Sequence, residues 1–206
     1  MKTPRYWAQA TRELSARDPV LRKIAAASQG LTLRSRGDAF STLARSIVGQ
    51  QISVQAADSV WQRLTAALPA LEPAAVECLD GDTLRACGLS HRKVSYLKDL
   101  AQHFSNGTLD PQVWPQRSDE QLIEELTQVR GIGRWTAEMF LIFYMTRPDV
   151  LPLADLGLQK AMRLHYNAGR PLGARKLDAL DRQWRPWRSV ATWYLWRSLD
   201  PVPVEY

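Results

Sequence analysis

The reactive potential of this sequence sits in a few short stretches. Gly131-Ile132-Gly133 stands between two apolar, helix-like patterns. Glycines on both sides of one residue permit a turn too tight for side chains and let another backbone come close. Amides at the start of the next helix point outward with the helix dipole behind them, so they can hold a phosphate without reading base sequence. The same spacing also suits a plain interhelical turn. Asp155 precedes Leu156-Gly157-Leu158-Gln159-Lys160, which reads as a helix start. A carboxylate at that place is favoured in its ionised form, whether it serves as an ordinary N-cap or as a charge offered to a reaction. Gln50-Gln51-Ile52-Ser53 follows Gly49 and on its own terms is a polar turn between helices. Arginines recur beside aromatics, as in Arg134-Trp135, Trp187-Arg188 and Trp196-Arg197. That texture suits phosphate contacts and base stacking, or equally a solvated helix face. His91, His103 and His165 lack metal-ligand spacing, and Cys78 and Cys87 form neither a CxxC nor a disulfide framework.

These residues need a scaffold, and the periodicity is helical almost throughout. Phe40, Leu43, Ala44, Ile47 and Val48 share a stripe, as do Val54, Ala57, Trp61, Leu64 and Leu68. Val94, Leu97, Ala101 and Phe104 repeat it, with Ser90 as N-cap. Ser118 and Gln121 predict a capping box before Leu122, Ile123, Leu126 and Val129. Trp135 to Met145 is apolar nearly all round, as a central buried helix would be. Pro186 is expected at the first position of a last helix ending near Leu199. Loops are expected at Leu68–Pro73, Asn106–Pro115 and Arg147–Pro152. No alternating stretch competes as a strand, so the fold class is all-α.

Composition sets the outer bounds. The 206 residues are 45% hydrophobic and 23% charged, which excludes a mainly disordered chain. Lys and Arg outnumber Asp and Glu by 27 to 21, a net charge of +6, which permits nucleic-acid binding without requiring it. The N-terminal residues lack the apolar core of a signal peptide, and the run Met139 to Met145 is too short to span a bilayer. The expectation is a cytoplasmic protein with no membrane partner.

The segment Leu126-Thr-Gln-Val-Arg-Gly-Ile-Gly-Arg-Trp-Thr-Ala137 resembles the helix-hairpin-helix of the DNA glycosylase superfamily that carries a Gly/Pro-rich loop and a downstream Asp. Within it, the chain is similar to the alkylation-repair branch of 3-methyladenine DNA glycosylase II type. Ser46-Ile-Val-Gly-Gln-Gln-Ile-Ser53, Gly88-Leu-Ser-His-Arg-Lys93, Leu151-Pro-Leu-Ala-Asp-Leu-Gly-Leu158 and Trp184-Arg-Pro-Trp-Arg-Ser189 match in the same order.

The resemblance implies a two-lobed helical enzyme with DNA in the cleft, one lobe being 38–145 and the other 1–37 plus 146–206. It implies base flipping and hydrolysis of the N-glycosidic bond of alkylated purines in duplex DNA, with Asp155 catalytic. Trp135 occupies the place where strand-nicking members carry a lysine, so no lyase activity is expected. Trp135, Met139 and Trp196 are implied as the base pocket. Met139 stands where a relative has an aromatic ring, which bears on substrate range. Gln51 would be the wedge entering the duplex, with Gln50 and Ser53 beside it. Gly131, Gly133 and Arg134 would face DNA, and the main-chain carbonyls of Thr127, Val129 and Ile132 would hold a monovalent cation such as sodium or potassium. Arg92 and Lys93 either touch phosphates or form a solvated face. No other cofactor is implied, and a monomer is expected. The same residues leave two alternatives: a same-fold glycosylase for deaminated or oxidised bases, and a non-catalytic hairpin module that only binds DNA.

Overall fold

The computed structural model describes residues 3–35 and 37–199. Residues 1–2, 36 and 200–206 of the expected discontinuous lobe lie outside the described residues. The helices are α1 Trp7–Arg17, α2 Pro19–Ala27, α3 Ala39–Gly49, α4 Val54–Ala66, α5 Pro73–Cys78, α6 Gly81–Ala86, α7 His91–Ser105, α8 Asp119–Leu126, α9 Arg134–Phe143, α10 Leu156–Tyr166, α11 Ala174–Trp184 and α12 Arg188–Leu199. A 3-10 turn at Trp114–Gln116 precedes α8. No strand occurs among the described residues.

The chain forms two compact units, one of residues 37–140 and one of the described residues up to 35 together with 141–199. The sequence of α9 is divided between them after Phe140.

In the unit of residues 37–140, α3 packs on α4 and α7, and α7 also carries α5 and α6. The predicted α3 stripe is the core: Phe40, Leu43, Ala44, Ile47 and Val48 are all buried. Start signals are met as predicted, with Ser90 capping α7 and the Ser118–Gln121 capping box opening α8. Each such cap stabilises its helix by about 1 kcal/mol. Val54 departs from its predicted stripe; it is 69% exposed at the first position of α4, where the chain has only just left the turn. Pro73 begins α5 rather than closing a loop, its missing N–H costing nothing there.

In the other unit, α12 lies against α1, α2, α10 and α11. It is buried along most of its length, from Ser189 to Leu195. The last helix starts at Arg188, two residues later than predicted from Pro186. Arg188 explains the shift: its guanidinium lies 2.7 Å from Asp149 Oδ1 and 2.6 Å from Asp181 Oδ1, fixing the helix start to two other segments. Ser189 Oγ donates to the Arg147 carbonyl and accepts from the Val150 N–H, so the segment leading to Asp155 is tied to α12.

Candidate active site

The hairpin is set by the burial of the side chains around it. Val129 and Ile132 are buried, pulling the connection between α8 and α9 inward, and the Ile132 N–H donates to the Val129 carbonyl at 3.1 Å. Gly131 has φ +86°, and a Cβ there would overlap the ring of Tyr96. Glycine is therefore required twice, by backbone conformation and by the ring beside it. Gly133 differs. Its φ is ordinary, and among the described residues nothing beyond its own chain neighbours lies within 4 Å of where a Cβ would be. The expectation that both glycines supply unusual backbone angles holds for Gly131 alone; Gly133 is exposed and bounded by open space.

Contacts from α3, α7 and α8 fix the hairpin from outside its own sequence. Asp99 on α7 accepts from the Arg130 main-chain N–H at 2.8 Å and from Arg130 Nε at 2.9 Å. Gln50, just after α3, donates from Nε2 to the Gly131 carbonyl at 2.7 Å. Arg134 forks onto Glu120 at 3.0 and 2.5 Å and reaches Glu138 Oε1 at 3.2 Å. The guanidinium holds the Glu120 carboxyl below its usual range. Arg134 is thus exposed but engaged by two carboxylates.

The turn after α3 carries the other implied DNA-facing residues. Gln51 is exposed with φ +59°, and Ile52 beside it is 40% exposed. Ser53 Oγ accepts from the Ala56 N–H as the N-cap of α4. Lys93 donates to the Val48 carbonyl at 2.7 Å, closing the end of α3, and its desolvation lowers the ammonium pKa. Arg92 is exposed. Trp135 is 38% exposed at the second position of α9, whereas Met139 one turn later is buried.

In the unit that holds Asp155, this residue is the N-cap of α10. Its Oδ1 accepts from the Leu158 N–H at 2.6 Å and from the Trp196 indole N–H at 2.8 Å. The N-cap expected at this position is thus present, and the same oxygen also takes the indole N–H. Trp196 lies stacked on Phe143, centroids 5.7 Å apart and planes 12° apart. A Cβ at Gly157 would sit 3.2 Å from Asp155 Oδ1 and 3.4 Å from Trp196 Cδ1, crowding that hydrogen bond. The preceding turn is closed by Asp155 N–H to the Pro152 carbonyl at 2.9 Å.

Tyr96, Asp99, Glu120 and Phe143 are the supporting residues that sequence reading missed. None has a local signature; each acts through a tertiary contact. The tryptophans outside the implied base pocket include packing groups: Trp7 meets Trp193 edge-on, Trp184 is buried, Trp187 donates to Glu13, and Arg45 lies 5.5 Å over Trp61. His165 Nε2 bonds Ser198 Oγ, while Cys87 is buried and Cys78 exposed. Among the described residues, no cluster of His, Cys, Asp and Glu is placed to hold a metal ion, and no helix is long and apolar enough to cross a membrane.

Residues 44–186 match the family model described as HhH-GPD superfamily base excision DNA repair protein. The chain is 35% identical over 167 residues to DNA-3-methyladenine glycosylase 1 of Schizosaccharomyces pombe, covering 77% of this chain and 72% of that protein. Among solved structures, a DNA-3-methyladenine glycosidase from Bacillus halodurans superposes with a TM-score of 0.87 at 30% identity, over 97% of this chain and 93% of that one. The S. pombe 3-methyladenine DNA glycosylase Mag1, in complex with abasic DNA, superposes with a TM-score of 0.78 at 29% identity, over 92% of this chain and 96% of that one.

Proposed function

The chain belongs to the HhH-GPD superfamily of base excision DNA repair proteins, and we propose that it hydrolyses the N-glycosidic bond of alkylated purines in duplex DNA, leaving an abasic site. The observation that carries the reading is the Asp155 carboxylate, held as a helix N-cap by Leu158 and aimed by the Trp196 indole N–H. Breaking the bond between C1′ and the purine nitrogen leaves positive charge on the deoxyribose, and a fixed anion beside it stabilises that oxocarbenium-like state. The bonding electron pair leaves with the base. An N3- or N7-methylated purine is already cationic, so it departs neutral and needs no proton from an acid. Water adds at C1′ and gives up a proton, for which Asp155 is the acceptor.

The base must leave the stack to reach such a carboxylate. We propose that Trp135, Met139 and Trp196 each contact the flipped base, and electron-rich indole faces favour a cationic purine over its neutral counterpart. The hairpin amides around Gly131 and Gly133 take a backbone phosphate, and the open space at Gly133 suits close approach of another backbone. The carbonyls of Thr127, Val129 and Ile132 would hold a monovalent cation. That of Val129 accepts only the Ile132 N–H among the main-chain bonds of the turn and keeps a second lone pair, so this donor fits. Such an ion supplies positive charge beside the phosphate. Trp135 has no amine with which to attack the sugar, so strand nicking through a Schiff base is not part of the reaction. The protein works on DNA as a monomer.

A panel of duplexes bearing 3-methyladenine, 7-methylguanine, uracil, hypoxanthine or 8-oxoguanine tests the reading. Release of the methylated bases, with abasic sites left uncut and no adduct trapped by borohydride, supports it. Release confined to the deaminated or oxidised bases moves the activity to another branch. Binding with no release leaves a DNA-binding module.

A further inference from the structure

We infer that Gln50 is a positioning residue whose side-chain amide joins the turn at residues 50–53 to the hairpin at 129–133, so that both meet duplex DNA as one rigid surface. This rests on the reading that the hairpin binds DNA.

The resemblance groups Gln50 with its neighbours as a DNA contact, but its side chain is used inside the protein. Nε2 donates to the Gly131 carbonyl at 2.7 Å, 81 residues away in sequence. The peptide joining Gly131 to Ile132 is thereby held at both ends: its carbonyl by Gln50 and its N–H by the Val129 carbonyl. A peptide held on both sides resists rotation, which fixes the start of the path leading to the amides of Gly133 and Arg134. Gly131 has φ +86° and no side chain of its own with which to resist such rotation.

The turn gains as much from the bond as the hairpin does. Gln51 sits at φ +59°, a strained region for a residue with a Cβ that persists only where neighbours enforce it. Gln50 fixes one end of the turn, and the Ser53 cap of α4 fixes the other. What the turn then presents outward is Gln51, Ile52 and Val54, the last two 40% and 69% exposed. Apolar side chains left in water on such a turn suit contact with sugars and base edges. The Gln50 side-chain amide is spent on the Gly131 carbonyl, so it acts on DNA through Gln51 and Gly131.

The test is fluorescence anisotropy with a duplex carrying a tetrahydrofuran abasic analogue, which the enzyme cannot process further. Gln50→Ala is expected to weaken binding about tenfold, the effect of one lost hydrogen bond. Gln51→Ala weakens it by a separate factor, but Gln50→Ala combined with Gln51→Ala binds no worse than the weaker single variant, because the loosened turn no longer places the Gln51 side chain. Gln50→Glu binds poorly at pH 7.5 and recovers relative to wild type as the pH falls towards 4, through the ordinary glutamate range near about 4.3, when the protonated carboxyl regains an O–H donor for the Gly131 carbonyl. Multiplying losses in the double variant, wild-type binding by Gln50→Ala, or no recovery at low pH each overturn the inference. An inactive wild type on methylated DNA would sink the glycosylase reading and leave these affinities readable. A wild type that fails to bind the duplex overturns both.

Discussion

The indole N–H of Trp196 and the Leu158 main-chain N–H converge on one oxygen of Asp155, at 2.8 and 2.6 Å. A tryptophan implied as a wall of the base pocket therefore also aims the carboxylate. Its ring is supplied with a stacking partner by Phe143, so ring packing and N–H donation separate in a single substitution. Trp196→Phe keeps an aromatic ring and removes the donor. A hydrogen bond to a charged group contributes about 1.5–3 kcal/mol, so single-turnover excision is expected to fall roughly 10- to 150-fold. Unchanged turnover would show that the indole N–H does not aim Asp155.

The two hairpin glycines are expected to behave oppositely. Gly131→Ala places a methyl on Tyr96 at a positive φ and is expected to destabilise the fold by about 2 kcal/mol or more, read as a lowered denaturation midpoint. Gly133→Ala meets nothing in the chain, so stability stays within about 0.5 kcal/mol while affinity for duplex DNA drops. Equal stability losses at both positions would contradict the distinction.

Arg134 is held by Glu120 on the exposed side and by Glu138 on the buried side. Glu120→Gln removes the exposed anion and leaves the guanidinium in place. Affinity for duplex DNA is expected to rise a few-fold at low ionic strength, and the salt slope to steepen by up to about one counterion. Titrations at several salt concentrations measure both, and an unaltered slope would mean that Arg134 does not meet a phosphate.

Burial, with the Lys23 charge adding to it, lowers the His165 pKa below its usual value near 6.5. The folded protein thus takes up this proton less readily than the unfolded chain. The stability tied to neutral His165 is present above the unfolded value and is lost as pH falls through it towards the folded value. Denaturation midpoints measured from pH 7.5 to 5 are expected to decline less steeply for His165→Gln than for wild type. Parallel declines would show that His165 does not contribute.

Much of this was legible in the chain. The α3 stripe, the Ser118 capping box and the tight Gly131 turn are local patterns, written by helix period and by backbone permissiveness within a few residues of one another. Asp155 as a helix start was equally local. What could not be read was every contact that closes over distance. Asp99 and Tyr96 are ordinary positions on α7 until the fold lays the hairpin across them, and nothing near Glu120 announces that it will hold Arg134. Val54 is apolar and in phase with the α4 stripe, yet it is exposed because the first turn of that helix protrudes. Pro186 misled because the Arg188 ion pairs, not the ring's fixed φ, decide where α12 begins.

The most direct test of the whole account is Asp155→Asn, assayed in parallel for base release and for binding to abasic-analogue duplex. The side chain keeps an oxygen for the Leu158 and Trp196 donors while losing its charge, so the fold and the DNA affinity are expected to stay near wild type. Release of 3-methyladenine or 7-methylguanine should fall by roughly two to four orders of magnitude. A variant that still releases methylated purines at close to the wild-type rate would contradict the account, because the reaction would then need no negative charge at this position.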